Sequence, residues 1–213
     1  MKRFWHELRW LWGTSWPLYA ATVLGTNLIA AIGSMLFVRY LIPMPEVREL
    51  GLSGQLGAVG VIYAAVAVVL GVVVTLYLFR PVLEWQRHPD GHDPNMVRHL
   101  VMRLPVLQTI IVVAVWSIGI AIVAVAAWRV DARLAVVVLT TALLTAFVTA
   151  VLTYLQAERL VRPIAASALA RRFEDSTLQP PIKWQLYLTW FTTSAVPMVG
   201  VLLLTIAQRY DYF

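Results

Sequence analysis

Long apolar runs, separated by short clusters of charged residues, dominate the pattern along this chain. The clearest run, Leu134 to Ala157, contains no Asp, Glu, Lys, Arg or His and ends at the charged residue Glu158. About 20 apolar residues suffice for a helix to cross the hydrocarbon core of a bilayer. The pattern predicts five transmembrane spans, at about 17–38, 56–79, 104–128, 134–157 and 184–206. The predicted fold class is all-α, a polytopic membrane helical bundle.

The segments outside the spans predict short helices at the membrane surface. Residues 1–15 place Phe4, Trp5 and Leu8 on one helical stripe, which is typical of an amphipathic helix in the interface. No small-residue cleavage site is present, so this segment is expected to remain on the mature protein. Residues 16–213 are predicted to form the transmembrane domain, with cytoplasmic loops and short helices at 80–103 and 158–183.

The distribution of positive charge predicts the orientation. The net charge is +6, and the chain has 17 Lys and Arg. Twelve of these lie in the N-terminal segment and the two predicted cytoplasmic loops, and five lie in the other segments. This bias places the N-terminus in the cytoplasm and the chain in the plasma membrane, with the C-terminus outside after five spans. Because the basic residues border apolar spans, they indicate a lipid bilayer as partner and no nucleic acid.

Two Arg-Pro pairs mark the cytoplasmic ends of spans, Arg80-Pro81 and Arg162-Pro163. They suggest a weak internal repeat of two hairpins, which a chance pairing at a basic membrane edge would also explain. Proline has no N–H and disfavours helix at the preceding residue, so a new helix is expected to start at Pro163. Pro197 is expected to kink the fifth span.

Candidate chemistry is sparse. Asn27 is the one strongly polar side chain of the first span and predicts an interhelical hydrogen bond. The segment RHPDGHD, residues 87–93, offers His and Asp side chains for a metal, but its Pro and Gly favour a solvated turn. No span carries an ionisable side chain in its apolar core, which disfavours a pump or carrier. With no Cys and no nucleotide or protease motif, the chain is expected to hold no catalytic site and no cofactor.

Three segments carry a resemblance to a known family: WPLYAATVLGTNLIAA at 16–31, YLQAERLVRPIAASALA at 154–170 and LTWFTTSAVPMVGVLLL at 188–204. They resemble the membrane region of mycobacterial multi-span class III adenylate cyclases. That resemblance implies six spans, a HAMP relay and a cyclase domain that works as a dimer. Arg162-Pro163 looks like the opening of a HAMP helix, but FEDSTLQPP follows in place of a glycine-containing connector. The sixth span, the HAMP and the cyclase domain do not occur in this sequence.

The resemblance implies a membrane anchor and sensor region of an adenylate cyclase, which dimerises and relays membrane signals in cyclic AMP signalling. Signal coupling would then fall on Arg80, Pro81, Arg162 and Pro163. The alternative is a small non-catalytic accessory subunit of a larger membrane complex. Small residues at four-residue spacing, such as Ala21 with Gly25, favour close helix packing within one chain or between two.

Overall fold

The computed structural model describes residues 10–40, 52–88, 94–129, 131–169 and 182–209. In these ranges the regular structure is entirely helical, as the fold class predicts. Four long helices come first, followed by a last helical stretch that a π-helical turn divides. In chain order the elements are α1 (Trp16–Tyr40), α2 (Leu52–Arg87), α3 (Pro94–Trp128), α4 (Ala132–Leu169), α5 (Ile182–Trp190), the π-helical turn Phe191–Ala195 and α6 (Val196–Arg209).

Four of these helices are long and apolar enough to cross a membrane. Their apolar stretches coincide with the first four predicted spans and are Trp16–Phe37, Gly57–Arg87, His99–Trp128 and Ala135–Ala166. The apolar part of the last helical stretch, Leu186–Leu202, is shorter. The structure therefore contains four helices that could cross a membrane, as in a multi-pass membrane protein, and the count of five spans stays a prediction.

The four long helices form an up-and-down bundle. Around the bundle each helix packs against the next in the chain, and α4 closes the ring against α1. The most extensive packing joins α3 and α4, which the short segment RVDAR connects in the sequence. Asp131 directly precedes α4, and its carboxylate Oδ1 accepts a hydrogen bond from the backbone N–H of Arg133 at 2.7 Å. This contact caps the start of α4, so α3 and α4 form an antiparallel hairpin.

Helices α1 and α2 approach closely where α2 carries glycine. A Cβ atom added at Gly71 would lie 2.6 Å from Cδ2 of Leu24, and one added at Gly60 would lie 2.0 Å from Cε of Met35. Small residues allow this approach because they leave room for a neighbouring side chain. The small-residue positions of α2 are therefore used within the chain.

The last helical stretch widens just before Pro197. Residues Phe191–Ala195 form a π-helical turn, and the backbone N–H of Val196 bonds to the carbonyl of Phe191. A proline ring clashes with the carbonyl four residues earlier, and a wider turn relieves such a clash. Where a kink was expected at Pro197, the structure has a π-helical turn that ends two residues before it. The ring of Phe191 meets that of Phe147 on α4 edge to face, with centroids 5.4 Å apart.

Several sequence predictions fall outside the described residues. These are most of the N-terminal interfacial helix, the segment 89–93 of RHPDGHD and the cytoplasmic stretch from 170 to 181.

The described part of the N-terminal segment turns sharply before α1. Gly13 N–H bonds to the Trp10 carbonyl at 2.9 Å, and Thr14 N–H bonds to the Leu11 carbonyl at 3.1 Å.

Candidate functional site

The two Arg-Pro pairs lie at matching places on two continuous helices. α2 continues past Pro81 to Arg87, and α4 continues past Pro163 to Leu169. The expectation that a new helix begins at Pro163 is therefore wrong. A proline within a helix removes one backbone hydrogen bond, but packing of the flanking turns can hold the helix together. In both helices one face of those flanking turns is buried, through Val82 and Leu83 on α2 and Val161 and Ile164 on α4, while both prolines are exposed.

The buried turns belong to one apolar cluster, drawn from all four long helices, which we call the lower core. Its members are Tyr19, Val23, Phe79, Val82, Leu83, Trp85, Val101, Leu104, Ala157, Val161 and Ile164. The rings of Tyr19 and Phe79 pack at a centroid distance of 4.7 Å. Since the lower core contains the starts of the described spans of α1 and α3 and the ends of those of α2 and α4, it marks one end of the bundle. Residues next to both Arg-Pro pairs belong to it, and the pairs themselves are exposed.

The arginines of the pairs point to the helix surface. Nε of Arg80 lies 2.8 Å from Oε1 of Glu84, and Nη2 of Arg162 lies 2.9 Å from Oε1 of Glu158. Each is a contact between neighbouring turns of one helix. Exposed pairs of this kind contribute about 0.3–0.5 kcal/mol. The arginines therefore stabilise their own helices locally, and the lower core links one helix to another.

Asn27 of α1 joins three helices through side-chain hydrogen bonds. Its Nδ2 donates to Oγ1 of Thr153 on α4 at 3.2 Å, and its Oδ1 accepts from Nε1 of Trp116 on α3 at 3.0 Å. The hydroxyl of the preceding residue, Thr26, donates to Oε1 of Gln156 on α4 at 2.9 Å. A polar layer thus crosses the bundle between α1, α3 and α4.

Sequence reasoning picked out Asn27 but missed its partners Thr153 and Trp116, and it missed the contact between Thr26 and Gln156. Thr153 and Gln156 sit in a run of several Thr residues, and nothing in the sequence separates the buried ones from those facing lipid. The buried polar side chains of the described residues are uncharged, namely Thr75, Gln108, Thr149 and Thr153. A threonine hydroxyl can donate a hydrogen bond to a backbone carbonyl of its own helix, as that of Thr149 does to the Thr145 carbonyl at 2.7 Å. The layer therefore serves helix contact and offers no charged group to bind or move an ion.

The solvated turn predicted for the RHPDGHD segment, in preference to a metal site, stays a prediction. His88 is described, and residues 89–93 lie outside the described ranges. Elsewhere, within the residues that the structure covers, no group of three or more His, Asp and Glu side chains is placed to hold a metal ion.

The fold and this end of the bundle define a class: an α-helical multi-pass membrane protein with a packed, proline-containing end. The chain matches no protein-family model, no curated protein and no solved structure.

Proposed function

We propose that this chain is a membrane anchor that relays signals from the bilayer, and specifically the anchor and sensor region of an adenylate cyclase. One observation carries the relay: α2 and α4 pass unbroken through their Arg-Pro pairs while the turns around both prolines pack in the lower core. A shift of either helix in the membrane would then move the segment beyond its proline. The adenylate cyclase part rests on the sequence resemblance alone.

Relay to a dimeric enzyme requires that two copies meet. Side chains of α1 fill the space beside Gly60 and Gly71. A Cβ added at Gly25 of α1, by contrast, meets nothing within 4 Å. Ala21, one turn before Gly25, is exposed. This small-residue pair supports a homodimer through α1, because two helices can approach closely there.

The size of the native product is the first test of the adenylate cyclase assignment. Source membranes are blotted with an antibody against residues 82–100. A band well above 23.9 kDa, the mass of this chain, is the expected result. A band at 23.9 kDa would favour the alternative, a small non-catalytic accessory subunit, and whatever co-purifies with the chain should then be identified.

The second test addresses the relay. Pro163→Ala in α4 restores a backbone donor to the helix and removes the ring clash, so the segment beyond residue 163 should change direction. Cyclic AMP output is measured in membranes of a deletion strain complemented with wild type, with Pro163→Ala or with its counterpart Pro81→Ala. Gly57→Ala, where a Cβ meets nothing within 4 Å, is the control. Output or regulation that is unchanged in both proline variants contradicts the relay.

A further inference from the structure

Five buried side-chain atoms lack a hydrogen-bond partner within the described residues, and all of them lie toward the end of the bundle that holds the lower core. They are Nε1 of Trp16, the hydroxyl of Tyr19, Nε1 of Trp85, Oε1 of Gln86 and Oε1 of Gln108. The indole N–H groups can only donate, the amide oxygens can only accept, and the phenol hydroxyl can do both. A buried polar atom without a partner costs free energy, and ordered water commonly supplies the partner when no protein group does.

A polar cavity lies beside this group, between the N-terminal turn and the end of α2. It has a volume of about 460 Å³ and is lined by Trp10, Gly13, Thr14, Ser15 and Gln86. Nε2 of Gln86 donates to Oγ of Ser15 at 2.9 Å, while Oε1 of Gln86 is one of the five atoms without a partner. Trp16 and Trp85 directly adjoin these two residues in the chain. A water molecule takes up about 30 Å³ in the liquid, so the cavity has room for several.

Tyr19 lies one turn deeper than Ser15 on α1. The backbone N–H of Tyr19 bonds to the Ser15 carbonyl at 3.2 Å, and residues four apart share one face of a helix. Tyr19 is 1% exposed, and its ring packs on Phe79 in the lower core. Because the apolar stretch of α1 begins at Trp16, Tyr19 brings a polar side chain into the membrane-spanning part of the helix.

Gln108 of α3 lies at the level of Tyr19. Helices α1 and α3 run in the same direction in the up-and-down bundle, and Asn27 of α1 bonds to Trp116 of α3. Tyr19 and Gln108 precede this hydrogen-bonded pair by the same eight residues, which is about 12 Å along either helix. Gln108 is 2% exposed. Two buried polar groups at one level of the bundle are suited to bridging by water.

We propose that water enters the bundle from the polar cavity and forms a buried cluster between α1, α2 and α3 that reaches Gln108. The water molecules accept hydrogen bonds from the indoles of Trp16 and Trp85 and donate to the amide oxygens of Gln86 and Gln108, with the Tyr19 hydroxyl between them. All five groups are uncharged, so they suit a neutral occupant and not an ion. This inference does not depend on the proposed relay.

The experiment is X-ray footprinting of the full chain in lipid nanodiscs. Radiolysis of a bound water yields a hydroxyl radical that modifies the nearest side chain, and mass spectrometry gives a modification rate for each residue. Phe79 is the internal control, because it is buried in the same cluster, touches the ring of Tyr19 and has no polar side-chain atom. After correction for the reactivity of the free amino acids, Tyr19 and Trp85 should be modified severalfold faster than Phe79.

Gln108→Leu removes an acceptor from the cluster. The modification rate of Tyr19 should then fall about fivefold, which is the factor by which the loss of one hydrogen bond of about 1 kcal/mol weakens the binding of a water. Thr149→Val is the matched control. It also removes a buried polar atom, but one that bonds to the Thr145 carbonyl of its own helix, so the rate of Tyr19 should not change.

Three results would overturn the buried water. The first is a corrected rate for Tyr19 and Trp85 no higher than that of Phe79, and the second is a Tyr19 rate that is equal in Gln108→Leu and the wild type. The third is a Tyr19 rate that differs severalfold between nanodiscs of phosphatidylglycerol and of phosphatidylcholine, which would make the occupant a lipid headgroup. Size exclusion reports folding. Gln108→Met replaces Gln108→Leu if the latter does not fold, and the comparison with Phe79 in the wild type needs neither variant.

Discussion

The ring of Tyr63 on α2 lies against the backbone of Gly119 on α3, and its hydroxyl donates to the carbonyl of Val115 one turn earlier. A Cβ atom at position 119 would lie 2.6 Å from Cε1 of that ring. The contact lies far along the spans from the lower core. It supplies a second point at which α2 and α3 are tied together.

Gly119→Ala should destabilise the bundle, because the Tyr63 ring must move and its hydroxyl then loses the Val115 carbonyl. Overpacking of this kind costs about 1–3 kcal/mol. Thermal unfolding of the purified protein in detergent measures it. Gly57→Ala is the control, since it makes the same change on a helix in open space and should be neutral or slightly stabilising. Equal melting temperatures for the two variants would refute the tight contact.

Asn27→Leu should weaken the joint between α1, α3 and α4. Interhelical hydrogen bonds in membranes contribute about 0.6 kcal/mol on average and up to about 1.7, so losing two predicts about 1–2 kcal/mol. Thr22→Val is the matched control, because Thr22 sits on the same helix and its hydroxyl donates to the Leu18 carbonyl of that helix at 2.8 Å. A double-mutant cycle with Thr153→Val isolates the Asn27–Thr153 part. A coupling energy indistinguishable from zero would mean that this pair contributes nothing to stability.

The spans and the polar residue of α1 could be predicted because both depend on local composition. Hydropathy defines a span without knowledge of its neighbours, and Asn27 is conspicuous in an apolar run. The path of α4 through Pro163 could not be predicted in the same way. Local propensity favours a break there, and only burial of Val161 and Ile164 against other helices overrides it.

The hydrogen bond between the N-terminal turn and the end of α2 was also beyond sequence reasoning. It depends on Ser15 meeting Gln86, which are 71 positions apart in the chain. Neither residue is unusual at a membrane edge. Their pairing follows from how α1 packs on α2, which no local pattern specifies.

Gly25→Leu tests the proposed dimer through α1. The new side chain enters open space in the single chain, so the monomer should keep its melting temperature. If two copies meet at Ala21 and Gly25, the larger residue separates the helices and shifts the equilibrium toward monomer. Analytical ultracentrifugation in detergent reads the shift. Gly71→Leu provides the contrast: it should destabilise the monomer itself, because Leu24 already fills that space. A wild-type dimer that persists in Gly25→Leu would place the interface elsewhere.

The absence of cysteine from the chain makes its topology directly measurable. Single cysteines at Glu84, Asp131 and Gln208 report, respectively, the end of the bundle with the lower core, the opposite end and the end of the last helix. Because twelve of 17 Lys and Arg lie in the segments predicted to be cytoplasmic, Glu84→Cys should resist a membrane-impermeant maleimide in intact cells and react once the membrane is opened. Asp131→Cys should react in intact cells.

Gln208→Cys then decides between four and five spans. Reaction in intact cells is expected if Leu186–Leu202 crosses the bilayer, helped by the flanking helical turns that extend it from Ile182 to Arg209. About 17–25 residues are needed for a crossing, and this stretch lies at the lower limit. Protection identical to that of Glu84→Cys would mean that the last helix returns to the same side or lies along the membrane. In that case the edge-to-face contact of Phe191 with Phe147 would have to form from a helix that enters the bilayer without crossing it.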